Sequence, residues 1–290
     1  MLKNVLFIIT MLWSCFSLIG QLTYYSGENL HFWGPVKIKE LENPSFTPWF
    51  TPGMEDYTPQ IHDLTYYNNL EDVQVILFIG TWCGDTKRNL PKFIKTWKTL
   101  GLPESNLEII ALHNEMEHYK QGPEREEQIY GIHRVPTFIF LKEGREIGRI
   151  VESPTTDFET ELAQISLGIP TKPKYASVDH LQKLIRNHPI DTLRKNIEEI
   201  SATIGRMEIK LSGLTTFAKK LEADGKLKEA ELVLDVAIHL FPYHPGVYYA
   251  SGLYYKNQMD YIRAGEFFIR SLTMDPSYDQ AKTQLMELKQ

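Results

Sequence analysis

The chain has 290 residues, of which 42% are apolar and 23% are charged, and its formal net charge is −6. This length and composition are typical of a soluble protein with about two domains and a sizeable core. Lysine and arginine alternate with acidic residues and form no blocks, which argues against a nucleic-acid partner.

The first 20 residues have the pattern of a secretory signal peptide. Lys3 precedes an apolar stretch from Val5 to about Ile19, which ends at Gly20. We therefore predict an exported protein, periplasmic or secreted. Retention of this segment as a membrane anchor is an alternative, but the apolar stretch is shorter than the roughly 20 residues that a span needs.

Lipidation of Cys15 is a third possibility for the N-terminal segment. Leu12 and Ser14 suit the cleavage box of a bacterial lipoprotein, whereas Trp13 is too bulky for its position there. The protein would then be attached to a membrane through the lipidated cysteine.

The sequence contains two cysteines, Cys15 and Cys83. If residues 1–20 are removed, the mature protein has one thiol and no intrachain disulfide. An unpaired thiol in an oxidising compartment is either buried or functional, so Cys83 is the first candidate for a reactive residue.

Residues 21–65 are rich in aromatic residues and proline without a sustained period, which predicts an irregular arm with at most one short strand. From Val73 the pattern predicts the order strand, helix, strand, helix, strand, strand, helix. The predicted elements are a strand over 73–80, a helix that opens at Cys83 and closes at Gly101, a strand over 107–113, a short helix over 124–132, strands over 137–144 and 146–153, and a helix over 157–168.

Residues 169–205 are predicted to be a linker followed by capping helices, because two prolines interrupt 169–175 and a helical pattern over 178–205 breaks near Pro189. Segments 211–244 and 245–278 then match at a shift of 34 residues. The matched pairs are Leu221 with Tyr255, Ala230 with Ala264, Leu234 with Phe268, Ala237 with Ser271, and Pro242 with Pro276. The small residues allow two antiparallel helices to cross closely, and the proline ends the second helix.

This period and residue pattern resemble tetratricopeptide repeats, with Ser251 as the clearest departure. The resemblance predicts two repeats in 206–290 and implies a groove that binds a peptide or another protein. Two repeats are fewer than usually stand alone, so the helices of 178–205 are expected to cap them. Two unrelated amphipathic hairpins are the alternative.

Residues 66–168 resemble a thioredoxin-family domain. The features that carry the resemblance are Trp82 and Cys83 at a strand–helix junction, Pro91 within the helix, the triplet Val135-Pro136-Thr137, and Gly144 in the following hairpin. In that family a cis-proline loop lies against the active-site sulfur and binds the partner polypeptide. The resemblance therefore implies that Trp82, Val135, Pro136 and Thr137 form the substrate-binding wall, in an α/β thioredoxin-like domain followed by an α-helical tetratricopeptide-repeat domain.

Two positions depart from the family and change the expected chemistry. Thr86 replaces the second cysteine, which gives C-G-D-T, and Leu77 replaces a buried acid six residues before Cys83. Both the resolving thiol and its proton relay are missing. Cys83 still lies at a helix N-terminus, where the helix dipole favours a thiolate, and Thr86 is predicted to donate its hydroxyl to it. Cys83 and Thr86 are thus the predicted catalytic residues.

A single thiolate can attack a disulfide and form a mixed disulfide. We expect a monothiol oxidoreductase or isomerase that acts on client proteins or a small thiol, with a further partner at the repeats. The alternative is a non-catalytic binding or chaperone scaffold in which Cys83 packs against Trp82. No cofactor or metal is predicted, because the spacing of His113, His118 and His133 matches no metal site.

Overall fold

A computed structural model of the protein describes residues 22–288. The predicted signal segment 1–20, with Cys15, lies outside these described residues. Within 22–288, no helix is both long enough and apolar enough to cross a bilayer.

Six strands form one mixed sheet in the described part of the chain. They are β1 (Leu22–Ser26), β2 (Asn29–Val36), β3 (Gln74–Ile79), β4 (Leu107–Ala111), β5 (Thr137–Lys142) and β6 (Arg145–Val151). Their spatial order is β1-β2-β4-β3-β5-β6, in which β3 and β4 are parallel and the other neighbours antiparallel. The four strands predicted between 73 and 153 are confirmed.

The segment 21–65 is more regular than its sequence predicts. β1 and β2 form a hairpin around Gly27, and β2 then pairs with β4, with Pro35 opposite Ile110. Two short helices follow, α1 (Ile38–Leu41) and α2 (Phe50–Glu55). The arm therefore belongs to the sheet domain, which we define as residues 22–168.

Three helices complete the sheet domain: α3 (Gly84–Thr99), α4 (Glu127–Tyr130) and α5 (Phe158–Ser166). α3 ends before Gly101, which has a φ of +70°. Asp157 caps α5, because its Oδ1 accepts from the backbone N–H of Thr160 at 2.7 Å. α4 is shorter than the predicted 124–132 because Arg125, at a φ of +61°, interrupts helical backbone.

Apolar side chains are buried on both faces of the sheet. On one face a large cluster joins the arm, α3 and α5, with Phe50, Phe93 and Phe158 fully enclosed. On the other face a smaller cluster around Phe78, Ile110 and Ile139 has Trp82 and Cys83 packed against it. The strand–helix junction at Cys83 therefore packs against the cluster around Phe78.

The rest of the described chain is helical, and we call residues 169–288 the helical domain. Its helices are α6 (Ala176–Asn187), α7 (Ile190–Lys195), α8 (Ile197–Gly205), α9 (Leu211–Ala223), α10 (Leu227–Leu240), α11 (Pro245–Asn257), α12 (Tyr261–Met274) and α13 (Asp279–Glu287). The predicted break near Pro189 is confirmed, because Pro189 is the N-cap of α7.

The predicted 34-residue period is visible in the helix boundaries. α11 and α12 each begin and end 34 residues after α9 and α10. The close crossing of α11 and α12 leaves no room at Gly252, where an added Cβ would overlap the ring of Phe268. Ala230 and Ala264 are fully buried in the same core.

The helices before the repeated pairs share that core. Val178, Leu181 and Ile204 are buried in one cluster with Leu214 and Phe217. α7 and α8 contact α10, and α6 contacts α9. The architecture is thus an α/β domain followed by an all-helical domain.

Candidate functional site

Cys83 is the N-cap of α3 and follows the end of the strand β3 at Ile79 after three residues. Its backbone N–H donates to the carbonyl of Gly80 at 2.8 Å, and its own carbonyl accepts from Lys87 N at 3.0 Å as the helix begins. The free thiol is half-buried, and its Sγ donates to the carbonyl oxygen of Val135 at 3.3 Å. Two segments far apart in sequence therefore meet at one sulfur atom.

Trp82 is fixed beside this thiol by its indole ring. Nε1 donates to the carbonyl of Leu112 at 2.8 Å, and the ring lies directly over Gly80. An added Cβ at residue 80 would lie 2.6 Å from the indole, so the close approach requires glycine. The side chain of Trp82 packs against the apolar cluster under the site.

The loop opposite Cys83 contains the other predicted site residues. The Val135-Pro136 peptide bond is cis. Thr137 donates its hydroxyl to the carbonyl of Arg134 at 2.8 Å, and Pro136 accepts from the N–H of Glu152 at 2.7 Å. The structure thus brings Val135 together with Cys83. Pro136 and Thr137, the next two residues of the loop, are buried.

Thr86 lies in the first turn of α3 and is completely buried. Its hydroxyl oxygen accepts from the backbone N–H of Gly80 at 3.3 Å. This bond leaves the hydroxyl proton free for a second acceptor, and donation to Cys83 stays a prediction for the thiolate form. The charges of Asp85 and Arg88, in the first turns of α3, partly cancel because the two side chains form an ion pair at the surface.

A buried lysine near Cys83, Lys120, was not predicted from the sequence. Lys120 is 4% exposed, and its Nζ donates to the carbonyl of His133 at 2.9 Å. Burial lowers its pKa to about 7; Arg134 acts in the same direction, whereas Cys83 opposes the change. Lys120 lies between β4 and α4 in a stretch without periodic pattern, so the sequence offered no signal for its burial.

Two further residues of the 133–137 loop contact the helical domain. His133 is buried, and the centre of its ring lies 5.9 Å from the centre of the Phe217 ring. This burial lowers the pKa of His133 to about 3. Arg134 pairs with Glu152 at 2.9 Å and donates to the carbonyl of Ser212 at the start of α9. The loop that faces Cys83 is therefore anchored in both domains.

A second contact between the domains is a group of charges, the interdomain ion cluster, in which Glu127, Lys220 and Asp224 have buried side chains and Arg125 is partly exposed. Lys220 Nζ lies 3.3 Å from Glu127 and also pairs with Asp224, and Arg125 bonds Asp224 at 2.6 Å. Glu127 is fully buried and Lys220 is 3% exposed. These pairs fix α9 against the sheet domain.

The helical domain has a groove of about 700 Å³ between α9 and α11. Its lining includes Leu211, Ser212, Lys219, Tyr249 and Leu253, together with Met116 from the sheet domain. Lys219 lies 4.3 Å from the ring centre of Tyr119, next to Lys120. The groove therefore extends to the segment 116–120 that also flanks the Cys83 site.

The three histidines considered in the sequence analysis make other contacts in the structure. His113 stacks on Tyr24 with 3.6 Å between ring centres and accepts from the N–H of Glu115, and His118 packs edge-on against it. His133 lies in the loop near Cys83. In the described part of the chain, no group of three or more His, Cys, Asp or Glu residues is placed to hold a metal ion.

A second cleft of about 450 Å³ lies between the arm and α5, and its lining includes Tyr57 and Glu159. Glu159 accepts from the hydroxyl of Tyr57 at 2.9 Å and from the N–H of Gln60 at 2.8 Å. These bonds tie the arm to α5, and none of the lining residues belongs to the Cys83 site.

Comparison with known proteins gives no family for this chain. No model of a known protein family matches it. A search of curated proteins also found no match. The geometry of the Cys83 site is therefore the main indication of function.

Proposed function

We propose that the protein is an exported thioredoxin-like monothiol protein, in which Cys83 forms mixed disulfides with client proteins or a small thiol. The observation that carries this proposal is the Sγ–O distance of 3.3 Å between Cys83, at the N-terminus of α3, and Val135 in the facing loop. The parallel pair β3 and β4, flanked by the antiparallel strands β5 and β6, supports the thioredoxin-like assignment.

The chemistry is a thiol–disulfide exchange. The Cys83 thiolate attacks one sulfur of a disulfide, a new S–S bond forms to Cys83, and the other sulfur leaves as a thiolate. A thiol of the client or a small thiol then attacks the mixed disulfide and releases Cys83. This sequence gives isomerisation or deglutathionylation, and it needs no second cysteine in the protein.

The repeated helix pairs would supply the binding of the partner. We propose that residues 206–290 are two tetratricopeptide repeats whose groove holds a client segment. The 34-residue shift of the helix boundaries and the tight fit of Phe268 on Gly252 support this assignment. Ser212 in the groove lining accepts a hydrogen bond from Arg134, the residue before Val135, so a client in the groove would lie near the loop that faces the thiol.

A binding or chaperone scaffold is the second candidate function. The groove favours it, because its apolar and aromatic lining does not depend on Cys83. In that case Cys83 is a packed side chain, as its contacts with the cluster around Phe78 allow.

Capture of clients distinguishes the two functions. A periplasmic or secreted extract is incubated with wild-type protein and with Cys83→Ser, and bound proteins are compared with and without a reductant. The proposal predicts clients that the wild type retains without reductant, that reductant releases, and that Cys83→Ser does not retain. Equal capture by both proteins under both conditions would establish the scaffold instead.

The place of action is part of the same proposal. The signal pattern of residues 1–20 supports export, with an uncleaved anchor or lipidated Cys15 as the alternatives. N-terminal sequencing and mass spectrometry of the mature protein would distinguish cleavage, retention and lipidation.

A further inference from the structure

Glu152 follows β6 and makes three hydrogen bonds next to the Cys83 site. Its backbone N–H donates to the carbonyl of Pro136 at 2.7 Å. One carboxylate oxygen accepts from the guanidinium of Arg134 at 2.9 Å, and the other accepts from the hydroxyl of Tyr175 at 2.7 Å. We call Arg134, Glu152 and Tyr175 the Glu152 triad. Through Glu152, the triad is bonded to the loop that faces Cys83 by both side chain and backbone.

Tyr175 is the member of the triad that comes from the helical domain, where it is the N-cap of α6. The Cζ of Arg134 lies 4.5 Å from the centre of the Tyr175 ring. The ring also approaches Gly213 in α9 so closely that an added Cβ there would lie 2.9 Å from it. Burial raises the pKa of Tyr175 to about 12, and its hydrogen bond to Glu152 acts in the same direction. The hydroxyl therefore keeps its proton and donates to Glu152 near neutral pH.

Between two carbonyls that are bonded within the protein lies one whose donor can be lost. The carbonyl of Arg134 accepts from the hydroxyl of Thr137 at 2.8 Å, and that of Pro136 accepts from Glu152. The carbonyl of Val135, between them, accepts from the thiol of Cys83 at 3.3 Å. This last bond exists only while the thiol keeps its proton. When Cys83 becomes a thiolate, the Val135 carbonyl is free to accept an N–H of the disulfide that Cys83 attacks.

We propose that Tyr175 is a positioning residue for this reaction, which acts through Glu152 and Arg134 to fix the Val135 carbonyl where it accepts an N–H of the attacked disulfide. The proposal rests on the monothiol function proposed above. It gives the helical domain a role at the reacting thiol, in addition to its groove. The favoured substrates are disulfides with amide N–H groups close to the S–S bond, because only these use the acceptor that the triad holds in place.

The test compares two disulfide probes on the full chain with Cys15→Ser, so that Cys83 is the reacting thiol. Glutathione disulfide has amide N–H groups close to its sulfurs, whereas hydroxyethyl disulfide has none. In both reactions the Cys83 thiolate attacks one sulfur, the mixed disulfide forms on Cys83, and the other sulfur leaves as a thiolate. The rate constants of adduct formation are measured by intact mass at pH 7.5, and the ratio of the two constants is the readout.

Tyr175→Phe removes the hydroxyl and keeps the ring beside Arg134, and Glu152→Gln removes the charge of the carboxylate. We expect each variant to react about fivefold more slowly with glutathione disulfide, which is the effect of about one hydrogen bond. The rate constant for hydroxyethyl disulfide should stay within about twofold of the parent's. The double variant should lose no more than the larger single effect, because both changes act through one carboxylate. Tyr248→Phe, which removes a hydroxyl that donates to the carbonyl of Pro242 at 2.7 Å, is the matched control and should keep both rate constants.

The ratio separates positioning of the loop from a general change at the thiol. An equal loss of both rate constants in Tyr175→Phe would overturn the positioning role, and so would two unchanged rate constants. If Glu152→Gln does not fold, as judged by circular dichroism, Tyr175→Phe alone decides the question. A parent that reacts with both probes while Tyr175→Phe keeps the parent's ratio would overturn the role of Tyr175 alone. A parent that reacts with neither probe would overturn the monothiol function itself.

Discussion

The Sγ of Cys83 donates a hydrogen bond to the carbonyl oxygen of Val135 at 3.3 Å. This bond belongs to the protonated thiol. When Cys83 loses its proton, the carbonyl loses its donor and can accept an N–H of a bound polypeptide instead. Ionisation of the thiol and exposure of a backbone acceptor are thus coupled at one point of the structure.

A second cysteine at position 86 should convert the single-thiol site into a dithiol site. Thr86 is buried one helical turn from Cys83, at the position of the resolving cysteine in the resembled family. We expect the wild type to be a poor reductant of insulin with dithiothreitol, and Thr86→Cys to be at least about tenfold faster, because an intramolecular thiol releases the mixed disulfide. Thr86→Ser, which keeps the hydroxyl, serves as the control. Rapid insulin reduction by the wild type with an enzymatic reductant would contradict the single-thiol mechanism.

The interdomain ion cluster should contribute strongly to stability. Lys220→Met removes the amine that lies 3.3 Å from the buried Glu127 carboxylate, which leaves that carboxylate with the guanidinium of Arg125 and the N–H of Gly122. We expect a loss of about 3 kcal/mol in the free energy of unfolding, measured with urea. Lys228→Met, at an exposed position of α10, should change it by less than about 0.5 kcal/mol. Equal stabilities of the two variants would show that the cluster does not hold the domains together.

Stability should fall as the pH is lowered below about 6.5, because His133 is buried in its neutral form. Burial lowers its pKa from 6.5 to about 3, so between these values the unfolded chain binds a proton that the folded protein does not. The contribution of His133 to the free energy of unfolding is complete above pH 6.5. It declines by up to about 1.4 kcal/mol per pH unit below that pH.

Urea unfolding at pH 7, 6 and 5 tests this prediction. His133→Gln should lose less stability than the wild type over the same range, because it lacks the titrating ring. Parallel curves for the two proteins would mean that His133 accepts its proton equally well in the folded state.

Much of this architecture could be predicted from the sequence. The alternation of apolar runs and turn residues between 73 and 168 located four strands, and the 34-residue shift located both helix pairs. Asp157 and Gly101 marked helix ends through local chemistry, which depends little on tertiary contacts.

Other features could not be predicted, because they depend on distant partners. Pro35 and Gly34 interrupt the pattern of β2, and that strand exists through its pairing with β4, far along the chain. Lys120 is polar and lies in an irregular segment, and its buried amine bonds to the carbonyl of His133 in the loop that faces Cys83. Cys83 and Val135 were predictable as neighbours only through the resemblance to a family.

The helical domain should require the helices that precede the repeats. Leu214, Phe217 and Leu221 are buried against α6 to α8, and a fragment of residues 211–290 would expose them to water. We expect this fragment to show no cooperative thermal transition, and a fragment of residues 170–290 to regain one. If the short fragment melts cooperatively at the same temperature as the long one, residues 178–205 are a spacer and not a cap.

The reaction of Cys83 with glutathione disulfide tests whether it is the reactive thiol of the proposed function. The full chain with Cys15→Ser is incubated with glutathione disulfide at pH 7.5, and intact and peptide masses are measured before and after reduction. We expect one glutathione adduct, located at Cys83, that dithiothreitol removes and that Cys83→Ser does not form. An unmodified native protein, whose Cys83 reacts only after unfolding in urea, would contradict it.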